Sequence, residues 1–236
     1  GRVGIGGLAV NQSSALLTIN GLYGVSHQAV LTGEQPMFEV PLEPNGLAVV
    51  RRYVVLGAEH IWGGIDHLLF VLGLLLLVGR GGRLVATITA FTVGHSITLG
   101  MVTLGLFEYP VALVEFLIAF SIFVLAIELT RPSGHSRLWR WPWVLAGLFG
   151  LLHGMGFAGA LAETGLPQSN IPLALLFFNI GIEVGQLLFI GALLLLWRLV
   201  SKWPLSSHPV VTQLPVLLLG VLSALWCFER GAGIFY

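Results

Sequence analysis

Apolar and polar positions are segregated along this chain into long blocks. Six apolar runs, at residues 53–78, 84–106, 111–129, 142–161, 171–200 and 210–228, are separated by short polar connections. Each reaches or approaches the roughly 20 residues that a helix needs to cross a hydrocarbon core of about 30 Å. None alternates with a period of two, which argues against a β-barrel and leaves helices to satisfy the backbone in lipid. Pro110, Pro142 and Pro172 precede or open runs, where a missing N–H costs little. The predicted fold is therefore an all-α integral membrane protein, a six-transmembrane-helix bundle over residues 53–230. Residues 1–52 differ, with Asn, Ser, Gln and β-like stretches at 15–19, 28–31 and 37–41, and predict a short strand-rich extracytoplasmic N-terminal segment. The chain opens on Gly1 without a signal-peptide pattern, the expectation for a processed or truncated product.

Composition agrees with the pattern. The 236 residues are 56% hydrophobic and 9% charged, far below the charged share of about 25% in soluble domains. Eleven basic and eleven acidic residues leave no basic excess for nucleic acid. The single cysteine, Cys227, excludes an intramolecular disulfide and a thiolate metal site. Of the 31 glycines, 16 lie within the apolar runs, without a period, as expected for closely packed membrane helices. Arg80 and Arg83, then Arg131, Arg137 and Arg140, then Arg198 and Lys202 follow runs one, three and five, whereas the alternate loops carry Glu108 and Glu163. The positive-inside rule makes the first group cytoplasmic and puts both termini outside, against a smaller opposing vote from Arg51 and Arg52. A bacterial-type inner membrane is the expected location. Trp139, Trp141, Trp143, Trp197 and Trp203 form the matching cytoplasmic interface belt.

Inside the runs, a polar set stands out. It comprises Glu59, His60, Asp66 and His67 in the first, His95 in the second, Glu115 in the third, His153 in the fourth and Glu183 in the fifth. With no Lys or Arg deep in a run, ionised Asp66 and Glu183 would cost about 2.5–3.5 kcal/mol each. Protonation, bonding to histidine or a bound cation must offset that. Asp66, His95, His153 and Glu183 sit near the midpoints of four runs, at one membrane level. On a continuous helix His60 lies two turns, about 10 Å, outward of His67, near the level of Glu115. Asn179, Glu183 and Gln186 follow i, i+4, i+7 spacing and share a face. Singly, each has an ordinary reading: a packing histidine, an Asp66 that orients His67, Asn179 and Gln186 as interhelical hydrogen-bond groups, a snorkelling Glu115. His27, His135 and His208 fall outside the runs. Four histidines and two acids at matched depth predict a cation site, with His60 and Glu115 as an outer stage. Imidazole with carboxylate suits Ni, Zn, Cu, Co or Fe better than Ca or Mg. Gly150-x-x-x-Gly154 and Gly181-x-x-x-Gly185 are small-residue spacings that let helices close around it.

The run His60-Ile-Trp-Gly-Gly-Ile-Asp66-His67-Leu-Leu-Phe70 resembles the signature of the HupE/UreJ family of membrane proteins. Phe91-Thr-Val-Gly-His95-Ser-Ile-Thr98, Leu151-Leu-His153-Gly-Met-Gly-Phe157 and Phe178-Asn-Ile-Gly-Ile-Glu183-Val-Gly-Gln186 look like the same family, in order. The family is associated with nickel permeation, so the resemblance implies metal uptake, with His60, Asp66, His67, His95, His153 and Glu183 handling the metal. Ile61 replaces the proline usual in short nickel permeases, and residues 1–52 contain only His27, which is similar instead to the longer branch with an extracytoplasmic N-terminal region. The leading reading is a permease for a divalent transition metal, nickel first, with Glu59, Ser96, Glu115, Asn179 and Gln186 in supporting positions. No GxxxxGK[ST] motif supplies ATP hydrolysis. Two other readings stay open. An intramembrane zinc hydrolase would use three histidines, Asp66 or Glu183 as base, and Ser96. An accessory subunit would dock through residues 1–52, in a homo-oligomer or a larger membrane complex.

Overall fold

The structure, a computed structural model, describes residues 2–5, 15–20, 26–32, 34–39, 46–131, 140–163, 171–202 and 208–234. Near the N-terminus, β1 (Arg2–Gly4) pairs antiparallel with β4 (Met37–Glu39), Arg2 opposite Glu39. β2 (Ala15–Asn20) pairs antiparallel with β3 (Ser26–Leu31), running from Ala15 opposite Leu31 to Asn20 opposite Ser26. Among the described residues seven helices follow: α1 (Gly46–Gly63), α2 (Ile65–Val78), α3 (Gly82–Thr103), α4 (Val111–Thr130), α5 (Pro142–Glu163), α6 (Ile171–Val200) and α7 (Pro209–Ala232).

The first apolar run departs from the expected continuous span. It is two helices, α1 and α2, bent by 79° at Gly64. Gly64 is extended, at φ −92° and ψ 98°, and donates its N–H to the His60 carbonyl at 3.0 Å, closing α1. Its own carbonyl receives Leu68 N–H and starts α2. Asp66 falls in the first turn of α2, where the helix dipole favours a carboxylate. α1 also begins at Gly46, seven residues before the start expected for the helical region. By length and apolarity α3, α4, α6 and α7 can each cross a membrane, and the bent pair counts as a fifth crossing element. α5 has a shorter described apolar stretch, Pro142–Gly156. The chain is thus a multi-pass membrane protein, with four or five elements fit to cross among the described residues where the apolar runs predicted six. Arg137, His135, Trp139 and Trp203 lie outside the described residues.

Three pairings organise the bundle: α3 along α5, α1 along α6, and α4 along α7, with α2 set among α3, α4, α6 and α7. Backbone-to-backbone approach makes the first two possible. A Cβ at Gly94 would collide with the Gly147 carbonyl, one at Gly150 with the Phe91 carbonyl, and one at Gly154 with the His95 carbonyl. Across α1 and α6, a Cβ at Gly57 would strike the Phe178 carbonyl and one at Gly181 the Val54 carbonyl. Without a hydrophobic drive between helices in lipid, such close van der Waals contact is what holds them together. α2 is the centre, with Phe70, Val71, Leu74 and Leu77 buried among Leu84, Ile88, Phe91, Ile122, Leu125 and Leu219. Large apolar side chains such as Val93, Ile97, Leu188, Leu217 and Phe228 point outward, as lipid contact requires. The α2–α3 connection turns through Gly79 and Gly81 at φ of 80° and 99°, a region open to glycine at no steric cost.

Candidate metal centre

The break at Gly64 folds the end of α1 against the start of α2 and brings His60 to His67. Their ring centroids lie 4.5 Å apart, not two turns apart as a continuous helix would place them. The outer stage expected at His60 therefore merges with the His67 level. The absence of a side chain at the break matters to the cluster, because a Cβ on Gly64 would press on His67 Nδ1. His95, fully buried on α3, completes the group, with ring centroids 5.9 Å from His60 and 6.2 Å from His67. One ligand nitrogen from each of His60, His67 and His95 lies within 4.8 Å of the other two. A first-row ion bound at about 2.0–2.1 Å holds tetrahedral nitrogens about 3.3 Å apart, so a modest contraction closes this set.

His153, 1% exposed on α5, stands beside the group, its ring centroid 5.3 Å from that of His67. Two of the rings are held from behind. His153 Nδ1 lies 2.8 Å from the Phe149 carbonyl, which only accepts, so Nδ1 carries the proton and Nε2 presents its lone pair. Asn179 donates Nδ2–H to the Leu175 carbonyl at 2.8 Å, which fixes its Oδ1 as the acceptor for His95 Nδ1–H at 3.4 Å. Both nitrogens of His67 and Nε2 of His95 and His153 are buried without a hydrogen-bond partner among the described residues. Each such atom costs about 1–3 kcal/mol, and a cation satisfies several at once. Phe70 and Phe91 close the far side, with centroids 5.2 and 5.1 Å from His153, and Phe178 packs 5.6 Å from His60.

The other residues singled out from sequence sit elsewhere. Asp66 is not left without a basic partner, the expectation when the deep spans held no Lys or Arg. Arg230, near the end of α7, places Nη2 2.7 Å from Asp66 Oδ2. The same guanidinium donates Nη1–H to the Glu115 carbonyl at 3.2 Å and lies 5.4 Å from the Trp226 ring centroid. Arg230 escaped notice because it falls two residues beyond the last apolar run. Glu115 contributes its carbonyl, while its side chain and that of Glu59 are exposed. Ser96 Oγ bonds back to the Thr92 carbonyl at 2.7 Å, within its own helix. Glu183 lies apart from the histidine group and accepts from Thr89 Oγ1 at 2.6 Å, and Gln186 is fully buried beside Thr92. Thr89 and Thr92 went unread. Thr92, three residues before His95, shares its helical face, whereas Thr89, six before, is turned about 120° from it, so spacing from His95 does not point to Thr89. The bland interhelical role foreseen for Asn179 and Gln186 is present in both, and in Asn179 it also orients a ring.

The arrangement is a three-imidazole cluster with a fourth at hand, in an apolar bundle. It suits a borderline divalent transition metal and offers no oxygen shell for calcium or magnesium. The family model described as HupE / UreJ protein matches residues 39–230, four-fifths of the chain. No curated protein and no solved structure matches this chain.

Proposed function

This chain belongs to the HupE/UreJ family, and on that premise we propose that it is a permease for a divalent transition metal, of the nickel or cobalt type. The observation that carries the reading is the gathering of His60, His67 and His95 within 4.8 Å at the broken first span. A crossing helix pair with a break exposes polar groups inside the bundle where a substrate ion is met, an arrangement common in transporters. The metal is substrate, held by His60, His67 and His95 with His153 adjacent, and Asp66 sets the local charge together with Arg230. Asn179 and the Phe149 carbonyl keep imidazole lone pairs facing the ion. Binding by separated, incompletely closed ligands favours passage over trapping. Both termini are assigned to the extracytoplasmic side of a bacterial-type inner membrane, with residues 1–52 outside.

The test is uptake of Ni2+ and Co2+ into proteoliposomes. His67→Ala is expected to cut the initial rate by about tenfold or more, the effect of losing a metal ligand. Equal uptake by wild type and His67→Ala ends the permease reading. A hydrolase would need a free carboxylate base beside the metal. Asp66 is engaged by Arg230 and Glu183 by Thr89, which favours transport.

A further inference from the structure

Between α3 and α6, a second polar layer lies on the side of the histidine cluster nearer Arg83 and Arg198. Thr89, six residues before His95, is displaced from it by about 9 Å along the helix. Thr89 Oγ1 donates to Glu183 Oε1 at 2.6 Å. Thr92 Oγ1 lies 3.1 Å from the Gln186 amide oxygen position and 3.2 Å from the Ile88 carbonyl, yet a hydroxyl carries one proton. Rotating the Gln186 amide by half a turn satisfies both contacts: Nε2–H donates to Thr92 Oγ1, and Thr92 donates to Ile88. The atom of this fully buried amide that has no partner among the described residues is then its oxygen. No ion pair reaches Glu183 among the described residues. The layer is thus an all-oxygen set of carboxyl, hydroxyl and amide groups with surplus acceptors, in a bundle where polar groups without partners are costly.

We propose that Glu183, Thr89 and Gln186 form a second station for the transported divalent cation, distinct from the imidazole cluster and weaker than it. This rests on the permease reading above. Oxygen donors hold nickel or cobalt less tightly than imidazole does, so the ion passes from a nitrogen site to an oxygen site and leaves toward the arginine-bearing end. Descending affinity in two steps is how a selective site avoids becoming a trap.

The experiment uses the full chain, titrated with Co2+ in detergent while ligand-field absorption and equilibrium dialysis are followed, and Co2+ uptake in proteoliposomes. Glu183→Gln is expected to keep the tight nitrogen-ligated site within about threefold in affinity while losing the weaker one, with uptake falling about tenfold. Thr89→Val, nearly isosteric, is expected to show the same split at about threefold in uptake, and decides the matter if Glu183→Gln does not fold. Two results overturn the proposal: loss of the tight site in Glu183→Gln, which makes the two layers one, or wild-type uptake in the folded variants. His67→Ala retaining tight Co2+ binding instead strikes the parent reading, and this one with it.

Discussion

At the residue scale, the site depends on which nitrogen of each ring is left free. Asn179 has its own orientation fixed by Leu175 and passes that constraint to His95. Asn179→Ala is therefore expected to weaken metal binding about 10–100-fold without unfolding the protein, as partners behind a ligand do. Isothermal titration of the purified chain with Ni2+ checks it, and an unchanged affinity would remove Asn179 from the site. Arg230 raises a different question. Asp66 and Arg230 are each 22% exposed and joined at 2.7 Å. Removing one partner strands the other's charge, whereas removing both does not. Arg230→Met is expected to lower stability by about 2 kcal/mol, part of which Asp66→Asn in the same chain restores. Denaturation of the four members of that cycle measures the coupling, and strictly additive losses would show that the pair is incidental.

At the scale of elements, the break between α1 and α2 is the feature on which the centre rests. A straight helix keeps His60 and His67 about 10 Å apart, and the 79° bend brings their rings to 4.5 Å. Gly64 permits this because it has no Cβ to meet His67. Gly64→Ala is expected to displace the His67 ring and weaken Ni2+ binding about tenfold, while Gly63→Ala, which would meet open space, leaves it unchanged. Titration of the two variants side by side distinguishes a local clash from a general loss of flexibility. Five of the six apolar runs match one helix to within four residues at either end, since a run of about 20 residues without charge has few other folds in lipid. The bend was not legible. Gly63-Gly64 is one glycine pair in a chain with 31 glycines, and a continuous apolar pattern spans it. The angle between the two helices at Gly64 is set by what each packs against, which a linear pattern does not contain.

At the scale of the molecule, polarity is inverted relative to a soluble domain: His95, His153, Asn179 and Gln186 lie inside and leucines and valines outside. The asymmetry of Arg and Lys between alternate loops makes a directional statement that labelling can test. In a Cys227→Ser background, a cysteine at Gln35 is expected to react with an impermeant thiol reagent in intact cells, and one at Ser201 only after lysis. The opposite pattern would reverse the orientation and the direction of transport with it. Five glycine-mediated approaches lock α3 to α5 and α1 to α6, so the two helix pairs that carry His95, His153 and His60 are the most closely joined in the bundle.

The sequence by itself determined the membrane class, the family likeness and the list of residues from which a site had to be drawn. Transfer of charge and backbone into lipid is so costly that composition and run length leave few alternatives. Only the tertiary structure decided how that list divides: His60, His67 and His95 together, Asp66 with Arg230 from the far end of the chain, Glu183 with Thr89. Those partners are set by one helix break and by helices crossing at glycines. Both are matters of packing between segments distant in sequence, on which depth along each helix alone is silent.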